Sequence, residues 1–116
     1  MEITRIYTGD DNESHFEDVD VSLVDTGGID LGSEFIKVTG ITFREMYANA
    51  TLDWHNAPRR QFVITLEGEG EIEISDGTKR RFGPGDVLLA EDTTGKGHIT
   101  RVVNNKPRKT AFVALD

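Results

Sequence analysis

Alternation of apolar and polar positions marks the chain as a series of short strands. Within Gln61–Leu66, Gln61, Val63 and Thr65 fall on one side of an extended backbone and Phe62, Ile64 and Leu66 on the other. Neither side is strongly polar, so this strand needs cover on both faces, from a second sheet of the same domain or from a partner subunit. Gly68 and Gly70 turn the chain into Glu71–Ser75, and the pattern predicts an antiparallel pair joined by a glycine-bearing connection. His55 and Gln61 enter that pair from one end.

The remaining segments read the same way. Ile3–Tyr7 predicts a short strand before the turn Gly9-Asp10-Asp11-Asn12. Ser14–Leu23 predicts a half-exposed strand with Val19, Val21 and Leu23 on one side. Asp25–Ser33 carries three glycines and reads as a loop. Phe35–Met46 predicts two strands bent at Gly40, and Asn49–Asp53 a polar connection leading to Trp54 and His55. Asp76-Gly77 is a hairpin signal of type I′, with Lys79–Phe82 as the return strand. Gly83-Pro84-Gly85-Asp86 turns the chain into the apolar strand Val87–Ala90. Glu91–Gly97 reads as a loop, His98–Asn104 as a strand, and Lys109–Leu115 as the closing strand. No stretch of eleven or more residues has helical periodicity. Nine to eleven short strands with little or no helix mean an all-β sandwich, jelly roll or small barrel.

Composition removes several chemistries. A chain of 116 residues is one domain, able to bury roughly two thirds of its unfolded surface. With no cysteine there is no disulfide framework, thiol nucleophile or thiolate metal site, so any metal must be held by His, Gln, Asn or carboxylates. The start has no basic stretch followed by an apolar one, and no apolar run approaches a membrane span; the expectation is a soluble, cytoplasmic protein with no membrane partner. The net charge of −8 is concentrated in residues 1–34, which hold ten acidic residues and only Arg5 as a base. The basic clusters Arg59-Arg60, Lys79-Arg80-Arg81 and Lys106–Lys109 are short and read as solvated strand ends, which argues against nucleic acid as a partner. No serine lies in a G-x-S-x-G context, and the glycine pairs lack the third glycine of a phosphate or dinucleotide loop.

Gln61-x6-Gly68, Gly83-Pro84-Gly85-Asp86-Val87 and Gly95-x2-His98 resemble the two motifs of the cupin superfamily, small RmlC-like double-stranded β-helix barrels. The resemblance spans roughly residues 40–115, with residues 1–34 an acidic N-terminal strand segment. W-H-N-A-P-R-R-Q-F and E-D-T-T-G-K-G-H are similar to a subset of small single-domain bacterial cupins. The resemblance implies a cupin-type jelly roll with a small-molecule pocket. It also implies a metal held by three His and one Glu, and here the sequence departs. His55 matches the first His, Ala57 stands at the second, Gln61 at the Glu, and His98 at the third His. The set that remains, His55, Gln61 and His98, could take a divalent Zn, Ni, Fe or Mn with water completing the shell; the alternative is a hydrogen-bonded, metal-free pair.

Around this set, His98 and His55 are the candidate general acid/base residues, and Arg59, Arg60, Gln61 and Trp54 the candidate ligand-binding residues. His15, beside Glu17 and Asp18, is a surface residue unless its segment folds over the barrel mouth. Two classes stay open: an enzyme, with or without metal, on a small organic acid or sugar-like molecule, and a non-catalytic module that binds or senses a small ligand. The apolar strands exceed what one small barrel interior can hold, so a homodimer is expected, with Val19, Val21 and Leu23 facing the partner.

Overall fold

A computed structural model describes all of Met1–Asp116. Twelve strands and no helix make up the chain: β1 (Glu2–Thr8), β2 (Ser14–Asp20), β3 (Val24–Asp25), β4 (Leu31–Gly32), β5 (Gly40–Met46), β6 (Thr51–His55), β7 (Gln61–Glu67), β8 (Gly70–Glu73), β9 (Lys79–Phe82), β10 (Val87–Glu91), β11 (His98–Val102) and β12 (Arg108–Ala114). A six-stranded sheet runs β2-β1-β10-β7-β12-β5, a four-stranded sheet runs β6-β11-β8-β9, and β3 and β4 form a small ribbon. All pairings are antiparallel except β1 with β10. Ile6, Val63, Leu88 and Ala90 of the large sheet meet Ile72 and Phe82 of the small one in a shared core. Two packed sheets with crossing connections make an all-β jelly roll, the fold class expected.

Alternation along β7 has the expected sense. Gln61, Val63 and Thr65 are buried, whereas Phe62 and Ile64 are half-buried and Leu66 is exposed on the outer face. Cross-strand register extends this into inward-facing rows. Gln61 is flanked by Ala90 and Ala114, Val63 by Leu88 and Phe112, and Thr65 by Thr110. Small alanines beside Gln61 leave the space between the sheets unfilled at that end.

Several local expectations are corrected. β7 and β8 are not a hairpin: β7 pairs with β10 and β12, and β8 with β11 and β9. The cause is Gly68, at φ 74° and packed against the Pro107 carbonyl, which carries the chain from one sheet to the other. The Asp76-Gly77 turn does connect β8 to β9, but only Gly77 has positive φ, so it is not type I′; the Asp76 carboxylate instead accepts from the Thr78 N–H at 2.8 Å. Thr51–His55 is a strand rather than a connection, because β11 offers it an edge. Phe35–Val38 forms no strand, having no partner to pair with, and the 25–33 loop contains the β3–β4 ribbon.

The acidic N-terminal segment is integral to the barrel. β1 inserts between β2 and β10, Ile6 is fully buried and Ile3 nearly so. β2 therefore completes its own chain's sheet, and Val19, Val21 and Leu23 are half-buried there instead of forming the exposed face that the dimer expectation gave them. The exposed large apolar side chains cluster between residues 24 and 43, among them Ile29, Phe35 and Phe43. No helix is long and apolar enough to cross a membrane.

Candidate functional site

Between the two sheets lies a cavity of about 610 Å³, open near the edge strands β5 and β6. His55, Gln61, Ala57, Ala90 and His98 line one end; Arg44, Met46, Val102 and Arg108 line the other. Val63, Ile72, Leu88 and Phe112 also line it, and eleven of the twenty lining residues are hydrophobic, so the space suits an organic molecule better than a highly hydrated one.

His55 and His98 are direct cross-strand partners on β6 and β11, with ring centroids 4.4 Å apart and planes inclined at 60°. Gly97 makes the approach possible: at φ 76° its Cα lies against the His55 carbonyl, where a side chain would collide. Each ring is held by Nδ1. His55 Nδ1 lies 2.8 Å from the Asp53 carbonyl, which only accepts, so Nδ1 carries the proton. His98 Nδ1 donates in the same way to Asp92 Oδ2 at 2.5 Å. In the neutral rings both Nε2 atoms are therefore unprotonated.

Asp92 stands in the loop expected after β10, but it is not solvated there. It is fully buried; Oδ2 also accepts from Ser14 Oγ at 2.8 Å, Oδ1 has no partner, and its backbone carbonyl accepts from the Ala57 N–H. One residue thus ties β2, the 56–58 segment and β11 together around His98.

Burial lowers the pKa of His55, reinforced by the nearby His98, while the bond to the Asp53 carbonyl works the other way. Folded His55 thus resists protonation more than in the unfolded chain, where its value is near 6.5. The unfolded state then binds more protons as pH falls below about 6.5, so this contribution to stability is complete above that pH and is lost toward the lower folded value. Urea midpoints of the wild type are expected to decline between pH 6.5 and 5 more steeply than those of His55→Gln. Parallel curves would show that His55 does not carry the effect.

Arg108, expected in the solvated cluster Lys106–Lys109, is instead buried. It is 2 % exposed, donates from Nη2 to Thr65 Oγ1 at 2.8 Å, has no partner for Nε, and forms no ion pair. Gly70 leaves room for it: a Cβ there would be 2.5 Å from Nη1. Burial lowers its pKa, but a guanidinium stays charged. Parity was the available signal, since Arg108 shares a strand face with Thr110 and Phe112.

The other sequence candidates stand outside the cavity. Arg59 and Arg60 are exposed, and Arg60 donates to Glu91 at 2.6 Å. Trp54 faces outward with Lys96 4.9 Å from its ring centroid. Arg59 and Arg60 do not turn inward with His55 and Gln61, because 56–60 is not strand. His15 pairs with Asp11 at 2.8 Å on the surface.

No protein-family profile matches the chain, and no curated protein matches it. Among solved structures, a conserved protein of unknown function from Streptococcus pyogenes aligns with a TM-score of 0.51 and 19% identity over 74% of this chain and 70% of that one. It shares the fold. An RmlC-like cupin protein from Desulfovibrio desulfuricans aligns with a TM-score of 0.47 and 25% identity over 64% of this chain and 69% of its own. The Cnp3 cupin domain of Schizosaccharomyces pombe aligns with a TM-score of 0.49 and 18% identity over 99% of this chain and 84% of its own.

Proposed function

We propose that the protein is an enzyme that binds a small organic molecule between its sheets and moves a proton on it with His98. The observation that carries this reading is the buried Asp92–His98 pair, whose Nδ1 is fixed and whose ring lines the cavity. A carboxylate behind an imidazole holds its tautomer and stabilises the imidazolium that forms when Nε2 takes a proton. His55, neutral beside it, and the Gln61 amide offer hydrogen bonds to a substrate oxygen, and the apolar walls keep water from competing.

The test is deuterium uptake. A pool of small carbon acids incubated with the protein in D₂O is expected to yield at least one that gains a single deuterium, at a rate lowered about 100-fold or more by His98→Gln. Exchange by neither protein, with binding retained, would reduce the site to a non-catalytic ligand-binding module.

A second reading rests on the anchoring of both rings, since a metal-binding His usually donates its other ring N–H to a carboxylate or carbonyl. No three His, Asp or Glu residues come together, so the set is His55, His98 and the neutral Gln61 amide. Two imidazole nitrogens and an amide oxygen fit a divalent zinc, nickel, iron or manganese ion, with weaker affinity for want of an anionic ligand. A bound ion would supply Lewis-acid polarisation of a substrate oxygen. On this reading elemental analysis finds about one metal per chain, removed by chelation and lost in His55→Ala. A metal-free active protein would leave the proton-transfer reading alone.

The exposed apolar segment between residues 24 and 43 supports the further reading that two copies pair in solution. Sedimentation equilibrium at micromolar concentration checks it against a monomer of 12.9 kDa.

A further inference from the structure

The distribution of arginines identifies cavity cations without a counter-ion, since Glu45, the carboxylate in the lining, reaches Lys109 instead at 3.8 Å. Of eight arginines in an acidic chain, five are paired: Arg5 with Glu17 and Glu91, Arg60 with Glu91, Arg80 with Asp18, Arg81 with Glu69 and Glu71, and Arg101 with Glu73. Arg59 is exposed to solvent. The remaining two, Arg44 and Arg108, both line the cavity and neither has a carboxylate partner. Arg44 lies with its guanidinium carbon 4.9 Å from the Phe112 ring centroid. Arg108 is buried, with a single hydrogen bond to Thr65. A buried charge without a counter-ion is costly, and replacing it by an apolar side chain of similar size would ordinarily stabilise a barrel. Its retention calls for an anion that arrives from outside.

The position of Arg108 fixes the shape of that anion. Along β7, Thr65, which Arg108 touches, lies four residues from Gln61 at the imidazole end. Along β11, Val102, paired with the Gly70 that cradles Arg108, lies four residues from His98. Four residues of strand span about 13 Å. Val63, Ile72 and Phe112 line the same cavity and are apolar. We infer that the ligand is a carboxylate with an apolar body, its anionic end held by Arg108, which Thr65 positions, and its other end reaching the His55–His98 pair. A monoanion matches the one buried charge, and a guanidinium suits the planar carboxylate. The apolar lining disfavours a sugar-like ligand. The inference rests on the cavity being the ligand site, as in the proposed function, but not on His98 catalysis.

The experiment is an NMR titration of the full chain, following Arg108 Nε–H and the two imidazoles separately, with octanoate, 3-phenylpropanoate, octanamide and inorganic phosphate as probes. At least one carboxylate is expected to shift Arg108 Nε–H saturably, with octanamide binding at least tenfold more weakly than octanoate. In Arg108→Met the carboxylate Kd is expected to rise tenfold or more while the melting temperature rises, an outcome opposite to that for an arginine kept for structure. Equal binding of octanoate and octanamide, unchanged carboxylate affinity in Arg108→Met, or no response of Arg108 to either carboxylate would overturn the inference. So would a shift at Arg108 with phosphate alone. Should the variant not fold, it fails the expected gain in stability, and the wild-type titration still decides the ligand class. Shifts at Arg108 without deuterium exchange would retain the carboxylate site and reject only the proton-transfer reading.

Discussion

Gly97→Ala is expected to lower stability by about 3 kcal/mol and to part the two imidazoles, although it adds one methyl group. Two costs combine. An L-residue at φ 76° is strained by about 1 kcal/mol relative to glycine, and the new Cβ would collide with the His55 carbonyl and approach the Asn56 nitrogen to 3.0 Å. Both contacts are backbone, so no side chain can rotate away; β6 would have to move off β11, taking His55 with it. Gly77→Ala is the control. It has the same sign of φ, at 89°, but nothing lies within 4 Å of its Cβ, so a loss of about 1 kcal/mol is expected. Urea unfolding of the two variants separates strain from collision, and equal losses would mean that β6 does not approach β11 as closely as described.

Asp92→Ala is expected to be comparably damaging, by about 3 kcal/mol. It removes the acceptor of both His98 Nδ1–H and Ser14 Oγ–H in a site without solvent and leaves a cavity behind them. Asp92→Asn separates structure from chemistry. A carboxamide oxygen standing in place of Oδ2 can accept from both donors in nearly the same volume, so more of the fold should survive, but the anionic partner of His98 is gone. Asp92→Asn should therefore keep a cooperative urea transition while deuterium exchange falls about 100-fold, a larger effect on rate than on stability. If both variants unfold at the wild-type midpoint, Asp92 does not organise the site.

The sheet faces were readable from the sequence because alternation reports burial directly. Gln61, Val63 and Thr65 turn inward as their parity requires, and Phe62, Ile64 and Leu66 turn outward. Pairing was not readable from the same stretch. Nothing in Glu67–Glu71 distinguishes a hairpin from a crossover between sheets; that depends on Pro107, nearly forty residues away, packing on Gly68. His55 and His98 were visible as a pair because the resemblance to cupin motifs aligned them, and their β6–β11 register makes them neighbours. Asp92 and Arg108 were missed for a shared reason. Charged residues beside turns are ordinarily solvated, and the burial of these two follows from long-range contacts, Asp92 with Ser14 on β2 and Arg108 with Gly70 on β8. Arg59 and Arg60 were favoured by proximity in sequence to His55, but the non-strand segment 56–60 breaks the alternation that would have turned one of them inward.

Proton transfer and metal binding alike depend on two imidazoles that hold their protons on Nδ1 and leave Nε2 free. Long-range proton–nitrogen correlation of the imidazole rings in nitrogen-15-labelled protein at neutral pH reads this directly. The expected spectrum shows Nδ1–H tautomers for both His55 and His98, with unprotonated Nε2 shifts. An Nε2–H tautomer for either ring would contradict the described anchoring by the Asp53 carbonyl and the Asp92 carboxylate, and with it the free nitrogen on which both proton transfer and metal binding rest.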